Sequence, residues 1–369
     1  MVEQDTWTRL ATFHRQYFQL VDPTQLRWLE GRILKDPEVQ SWMFSHLFDA
    51  EANSTLPPDR YRLRVLKVLV SKLEKAIDDP EEDVRISIIS SLCKATLSHP
   101  KLRIALAAFS LPTRLPSQSI GPQSKAYVTY AFPRRRTDNN NFDDNSVTLL
   151  ESRSVISSSG TTGLRTWEAA LLLGQFLSSE DGSRMIREKR VFELGAGTGM
   201  LSILCAKHLD ASGVVSTDGD EAVVDAIKTN VFLNEVDSSR TTVKTAALRW
   251  GRPLHGSTFS EDYGMDVPEV LLGADVTYDS TSIPALVSSM RDFFDLNAAL
   301  QVLVAATIRN EKTFETFLKA CRRNRFRLQQ MDFAAQAESL QDGPFYPTST
   351  AIQIWRITRA HTGLDPFAC

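Results

Sequence analysis

Hydrophobic residues recur every three to four positions along the first part of the chain, which is the spacing of one face of an α-helix. The runs with this period cover residues 10–20, 28–33, 59–77, 84–97 and 102–109. The clearest face consists of Tyr61, Val65, Leu66, Leu69 and Leu73. This pattern predicts an α-helical domain over residues 1–115. It contains no motif that marks a site, which favours a packing role over a partner-docking surface.

The composition changes at residues 111–145, where prolines recur and the segment 134–141 is polar and charged. Residues 126–132 alternate as in a β-strand, and residues 146–156 do so in part. We therefore expect a linker and a β-hairpin over residues 116–157. Its three arginines, Arg134, Arg135 and Arg136, are interpreted as solvated, with contact to RNA or an acidic partner as the alternative.

From residue 158 to 360, short apolar runs alternate with amphipathic helical runs. Strands are predicted at 190–194, 213–218, 242–246, 267–274, 301–308, 325–330 and 348–357. Helices are predicted at 199–208, 221–234, 282–295 and 311–324, preceded by one that contains Trp167 and that Thr166 would cap. Alternation of this kind predicts an α/β fold with a parallel, doubly wound sheet.

Composition and charge exclude several classes of protein. Of 369 residues, 42% are hydrophobic, and 42 basic against 45 acidic residues give a net charge of -3. A global basic field for nucleic acid is therefore not indicated. The four cysteines lie far apart and the histidines lack metal-ligand spacing, so no metal site is expected. Without a signal peptide or a long apolar run, we expect a cytoplasmic protein that does not bind membranes, with the nucleus as the alternative location.

The strongest chemical signal is the stretch 190–202, which reads as strand, glycine turn and helix. Its pattern is Glu193-x-Gly195-x-Gly197-x-Gly199, whereas a dinucleotide site has the pattern Gly-x-Gly-x-x-Gly. A carboxylate before the turn disfavours a phosphate and tolerates a cation. The pattern thus favours S-adenosylmethionine, which carries a sulfonium and an ammonium group, with a dinucleotide site or an ordinary turn as alternatives.

Acidic and aromatic residues follow the next strands of the predicted sheet. Asp218 ends the second strand, where an acidic residue accepts hydrogen bonds from ribose hydroxyls. Asp220 is interpreted either as sharing that role or as a helix N-cap. Trp250 follows the third strand, where its indole would lie against adenine or pack in the core.

Asp275 and Tyr278 follow the fourth strand, in the sequence Asp-Val-Thr-Tyr. A carboxylate and a phenol three residues apart at the end of a strand would project into the same cleft. This pair suits an amine substrate, because the carboxylate holds its charge and the phenol face contacts the cation. A strand-end cap and a packing tyrosine are the structural alternative.

Together with the block Gly160-Thr-Thr-Gly-Leu-Arg-Thr-Trp-Glu-Ala-Ala170, these motifs resemble the seven-strand lysine methyltransferases with a D-x-x-Y motif. The block is similar to the elongation factor 2 lysine methyltransferase branch. The resemblance implies a Rossmann-like, seven-stranded class I methyltransferase sheet with an N-terminal α-helical domain, and Asp275 and Tyr278 as catalytic residues. It implies cofactor contacts at Trp167, Glu193, Gly195, Ala196, Gly197, Gly199, Asp218, Asp220, Trp250 and Ala274.

The same resemblance implies a lysine of translation elongation factor 2 as the substrate, with up to three methyl groups added. We expect a monomer without clear nucleic-acid binding. A methyltransferase of another protein, of RNA or of a small molecule is the alternative enzyme, although the Asn-Pro-Pro-Tyr-like motif of nucleic-acid enzymes does not follow the fourth strand. A non-catalytic binding module would have damaged cofactor motifs, and the motifs here are intact.

Overall fold

The computed structural model describes residues 4–76, 125–133, 144–152, 162–236 and 241–360. The chain divides into two compact units. The first is Met1–Asp143 with Asp342–Phe345, and the second is Asp144–Gln341 with Tyr346–Cys369. Within the described ranges, the structure contains no helix long and apolar enough to cross a membrane.

Several predicted features lie outside the described residues. They are the helices at 84–97 and 102–109, the three arginines 134–136, the end of the strand at 153–156, and Gly160 with Thr161. The predicted domain boundaries near residues 115 and 157 also fall outside them and stay predictions.

The first unit is built mainly from helices. They are α1 (Gln4–Phe18), α2 (Gly31–Leu34), α3 (Pro37–Met43) and α4 (Asp59–Ala76), and the unit also contains strand β1 (Lys125–Phe132). Helix α3 is capped by Asp36, whose carboxylate accepts a hydrogen bond from the N–H of Glu38 at 2.8 Å. It continues into a π-helical turn, Phe44–Phe48.

The predicted apolar face of α4 is confirmed, since Tyr61, Val65, Leu66, Leu69 and Leu73 are all buried. Tyr17 of α1 is also buried, and its hydroxyl donates to the carbonyl of Leu47 at 2.8 Å. The predicted helical run at 28–33 is wrong over its first half. Only Gly31–Leu34 is helical, and the chain leaves α1 through Leu20 at a φ of +60°. Helical spacing of aromatic residues therefore did not distinguish a helix from a buried loop.

The second unit contains the alternating elements. Its strands are β2 (Asn145–Ser152), β3 (Arg190–Leu194), β4 (Gly213–Asp218), β5 (Thr242–Ala247), β6 (Val270–Ala274), β7 (Gln301–Thr307), β8 (Phe326–Gln330) and β9 (Ile352–Arg359). Its α-helices are α5 (Glu168–Ser178), α6 (Glu180–Ile186), α7 (Met200–His208), α8 (Glu221–Leu233), α9 (Phe259–Tyr263), α10 (Ile283–Leu296) and α11 (Glu311–Arg323). The predicted strands 190–194 and 213–218 match in both bounds.

Seven strands form one sheet in the order β5-β4-β3-β6-β7-β9-β8. The strands from β5 to β7 are parallel, whereas β9 is antiparallel to both β7 and β8. The sheet is therefore mixed, and the prediction of an all-parallel sheet is wrong at this edge. The strand order is that of the Rossmann-like class I methyltransferase fold.

Strand β7 lies in the interior of the sheet, between β6 and β9. Val302, Leu303, Val304 and Ala305 are all at most 2% exposed, as expected of a strand covered on both faces. The strand order also reverses next to β3, because β4 lies on one side of it and β6 on the other. In open α/β sheets a ligand crevice forms outside the carboxyl ends of the strands at such a reversal.

Strand β2 is attached to helix α8 by two asparagine side chains. Asn234 accepts from the N–H of Thr148 at 3.0 Å, and Asn230 accepts from the N–H of Leu150 at 2.8 Å. The amide nitrogen of Asn230 also donates to the carbonyl of Thr198, in the glycine turn, at 2.9 Å. These side chains thus satisfy the backbone N–H groups of Thr148 and Leu150, which in a sheet would bond a neighbouring strand. Through Asn230 they also join β2 to the glycine turn.

Candidate active site

A cavity of about 740 Å³ lies at the carboxyl ends of the central strands of the second unit. This volume is within the usual range for small-molecule sites. All of the predicted site residues except Gly199 line it, namely Trp167, Glu193, Gly195, Ala196, Gly197, Asp218, Asp220, Trp250, Ala274, Asp275 and Tyr278. The structure thus brings together side chains that are up to 111 positions apart in the sequence.

The glycine turn forms one wall of the cavity. Gly195, Gly197 and Gly199 have φ angles of +61°, +57° and +79°, a region that glycine adopts without steric cost. A Cβ on Gly197 would lie 3.1 Å from the carbonyl oxygen of Gly163, and both glycines line the cavity. Gly199 has a packing role, because a Cβ there would lie 2.9 Å from the side chain of Ile227. The turn therefore lets a ligand approach the backbone closely.

Glu193 is buried behind this turn, at 3% exposure. Its carboxylate accepts hydrogen bonds from the N–H and the hydroxyl of Ser202, in the first turn of α7. The pKa of Glu193 is raised to about 7, mainly by burial and to a lesser extent by the nearby charge of Asp218, while the hydrogen bonds from Ser202 oppose this rise. A cation in the cavity would stabilise the ionised form, which agrees with the predicted preference for a ligand that carries positive charge.

We expect the affinity for S-adenosylmethionine to rise with pH around neutrality, because the cationic ligand favours the ionised form of Glu193. With a pKa of about 7 for Glu193, the affinity should be roughly tenfold lower at pH 6 than at pH 8. Isothermal titration calorimetry on the wild type and on Glu193→Gln measures this. The amino group of the ligand itself also titrates in this range, but its effect on the affinity is the same for both proteins and cancels in the comparison. An equal pH dependence in the two proteins would remove Glu193 as its source.

The two aspartates after β4 have different partners. Asp218 accepts from the N–H of Gly197 at 3.2 Å and from the N–H of Asp220 at 3.1 Å. Burial raises the pKa of Asp218, against these backbone hydrogen bonds. Asp220 is the N-cap of α8 and accepts from the N–H of Ala222 at 2.8 Å. The capping interpretation of Asp220 is therefore realised, and its predicted contact with the cofactor stays a prediction.

Trp250 is half-buried between the cavity and the core. It packs against the hydrophobic cluster around α10, and a Cβ on Gly195 would lie 3.1 Å from its indole Cζ2. Next to it, Gly251 donates its N–H to the hydroxyl of Ser289 at 2.9 Å. The indole therefore lies beside the glycine turn, packs against the hydrophobic core and also lines the cavity.

Asp275 follows β6 and also lines the cavity, and its side chain is 8% exposed. Its backbone takes a φ of +53°, uncommon for a residue with a side chain. The carboxylate accepts from the N–H of Thr307 at 2.8 Å and from the Thr307 hydroxyl at 3.0 Å. Burial raises its pKa, opposed by these bonds and by Arg309. Tyr278, by contrast, is 68% exposed at the cavity mouth.

The loop before α5 differs from its prediction. Thr166 does not cap the helix, because Trp167 occupies the N-cap position and makes no capping bond. Instead, the Thr166 hydroxyl donates to the buried carboxylate of Glu151 at 2.5 Å and lies 2.7 Å from the hydroxyl of Thr198. This network joins β2, the loop before α5 and the glycine turn, so Thr166 supports the cavity wall.

Arg309 was missed by the sequence analysis, although it lines the cavity. It lies two residues beyond β7, and its guanidinium carbon is 5.2 Å from the ring centre of Trp167. Its position in the sequence could have indicated this role, because it follows a strand of consecutive apolar residues and so lies at the same edge of the sheet as Asp275. Within the described residues, we find no group of histidine, cysteine and acidic side chains arranged to hold a metal ion.

Comparison with known proteins places these features in context. Residues 143–324 match the family model described as lysine methyltransferase. The chain is 41% identical to the protein-lysine N-methyltransferase EFM3 of Chaetomium thermophilum, over 95% of this chain and 97% of that protein. It is 30% identical to EFM3 of Saccharomyces cerevisiae, over 64% and 70% of the two chains. It is 32% identical to the human protein-lysine N-methyltransferase EEF2KMT, over 47% and 53%.

Proposed function

Because the chain belongs to the lysine methyltransferase family and is a protein-lysine N-methyltransferase that uses S-adenosylmethionine, we propose that its substrate is a lysine of translation elongation factor 2. Two observations support this target. The block from Gly160 to Ala170 resembles the elongation factor 2 branch of the family. The human and mouse relatives carry the name EEF2KMT. Such a substrate implies that the enzyme acts in the cytoplasm.

The cofactor supplies an electrophilic methyl group on its sulfonium. We expect the part of the cavity around the glycine turn to hold the cofactor. There a ligand can come close to the backbone, and the carboxylates of Glu193 and Asp218 lie nearby. Glu193 and Asp218 complement its positive charge and its ribose hydroxyls, and Trp250 offers a flat apolar surface for its adenine. The residues present therefore fit S-adenosylmethionine, and the pair of carboxylates disfavours a phosphate.

The acceptor lysine is expected to enter the part of the cavity that Asp275, Tyr278 and Trp167 line. The carboxylate of Asp275 orients the amine, and the two aromatic faces contact its carbon chain and its methylated product. An amine must be neutral to attack, and loss of the lysine proton at pH 7 costs roughly 4–5 kcal/mol, given a pKa of ~10.4. Partial burial in the cavity lowers this cost by disfavouring the charged form.

Labelling of a cell extract tests the target directly. The extract should come from cells that lack this enzyme, so that the acceptor lysine is unmodified. With methyl-labelled S-adenosylmethionine and purified enzyme, we expect one labelled protein that mass spectrometry identifies as elongation factor 2, modified on a single lysine. The number of methyl groups is read from the same spectra.

Extract incubated without enzyme is the control for endogenous activity. Label on a different protein would contradict the proposed target while leaving the lysine methyltransferase assignment intact. Label that survives proteinase and is removed by ribonuclease would instead indicate an RNA substrate.

A further inference from the structure

Arg309 lines the cavity beside Asp275, where the acceptor lysine is proposed to enter. It follows β7, whose parallel partner β6 leads directly into Asp275. Its backbone N–H donates to the carbonyl of Thr307 at 2.9 Å, and the next residue, Asn310, caps α11. The base of this side chain is therefore fixed by the end of the strand and the beginning of a helix.

The guanidinium of Arg309 joins the neighbouring residues Trp167 and Glu168 to Asp275, which lies more than a hundred positions further along the chain. Its Nη2 donates to the carboxylate of Glu168 at 2.6 Å, and its Nη1 lies 3.6 Å from the carboxylate of Asp275. It also lies over the indole of Trp167, at 5.2 Å from the ring centre. Both carboxylates are largely buried, since the side chain of Glu168 is 19% exposed and that of Asp275 is 8% exposed. These interactions are therefore less screened by solvent and salt than they would be at a free surface.

The charges around Asp275 come from several elements. Arg309 after β7 favours its ionised form, and Glu168 at the start of α5 opposes it. Arg165 lies over Trp167 at 5.5 Å from the ring centre, and Tyr278 belongs to the same loop as Asp275. Asp279, also in that loop, is held by Thr281 and Ser282. The cavity wall further carries Glu193, Asp218, Asp220 and Arg249.

From these contacts we propose that Arg309 is a positioning residue of the acceptor site, which holds the Asp275 carboxylate and offsets its charge. The inference rests on the proposed entry of lysine in this part of the cavity. A lone carboxylate would keep the lysine as an ammonium ion, which cannot attack. The guanidinium beside it disfavours a second positive charge, so the bound lysine loses its proton more readily. Asp275 then orients the neutral amine through a hydrogen bond.

The dependence of methyl transfer on pH tests this role. Replacement of Arg309 by methionine keeps the length of the side chain and removes its charge. At saturating cofactor, we expect the profile of kcat for Arg309→Met to move up by about one pH unit. Its kcat should be roughly tenfold below the wild type at pH 7 and within about twofold near pH 10. The substrate is the protein that the wild-type enzyme labels in the extract.

Arg309→Lys is the conservative variant, and its kcat should depend on pH as in the wild type. Its rate should be about threefold lower, because the lysine ammonium lacks the planar guanidinium that contacts both carboxylates. Arg184→Met is the matched control, because Arg184 lies on the surface and pairs with Glu180 and Asp181. Equal loss of activity at every pH, or an unshifted profile in Arg309→Met, would overturn the inference. Label on a protein other than elongation factor 2 contradicts only the proposed target.

Discussion

Replacement of Asp275 by alanine is expected to lower methyl transfer by about 10²-fold or more while changing the affinity for S-adenosylmethionine by no more than about twofold. Asp275 lines the cavity at the proposed acceptor site, and its carboxylate is fixed by two hydrogen bonds from Thr307. Loss of this group would remove the proposed acceptor of the lysine N–H and would leave Arg309 without one of its two carboxylate partners. The effect should therefore fall on the chemical step, and single-turnover kinetics with calorimetry measure the two quantities separately.

Asp275→Asn is the matched control for the backbone. Asparagine tolerates the positive φ of this position better than alanine does, and it keeps one oxygen for the N–H of Thr307. We expect its activity to lie between those of the wild type and Asp275→Ala, with nearly wild-type thermal stability. Wild-type turnover by both variants would exclude Asp275 from the reaction.

Replacement of Asp218 by alanine is expected to weaken binding of S-adenosylmethionine by roughly 10- to 150-fold, because hydrogen bonds to a charged group contribute about 1.5–3 kcal/mol. The carboxylate of Asp218 also accepts from the N–H of Gly197, so its loss should loosen the glycine turn as well as remove the proposed ribose contact. The dissociation constant measured by calorimetry reports both effects. At saturating cofactor, kcat should recover most of its wild-type value.

Asp220→Ala provides the comparison, since this carboxylate caps α8 through the N–H of Ala222. Loss of an N-cap costs about 1 kcal/mol of stability, so we expect a lower melting temperature and a nearly unchanged affinity. A loss of affinity at position 220 with none at position 218 would reverse the assignment of the two aspartates.

The site was predictable where the chemistry is local in the sequence. Glu193, the three glycines and Asp218 lie at or just after strands whose apolar runs are unmistakable, so their place at the carboxyl edge of the sheet followed from the alternation of strands and helices. Arg309 was not predictable in the same way. A lone arginine after a strand is ordinary, and only its contacts with Glu168, Trp167 and Asp275 make it part of the site.

The sequence by itself determined the α/β class, the bounds of β3 and β4, and the glycine turn. These features depend on the period of apolar residues and on the backbone freedom of glycine, both of which are properties of short segments. Only the tertiary structure decided that β9 enters the sheet antiparallel between β7 and β8, and that Thr166 bonds Glu151 in place of capping α5. Both outcomes depend on partners many residues away, since a strand has the same alternation in either direction and a hydroxyl bonds whichever acceptor the fold brings near.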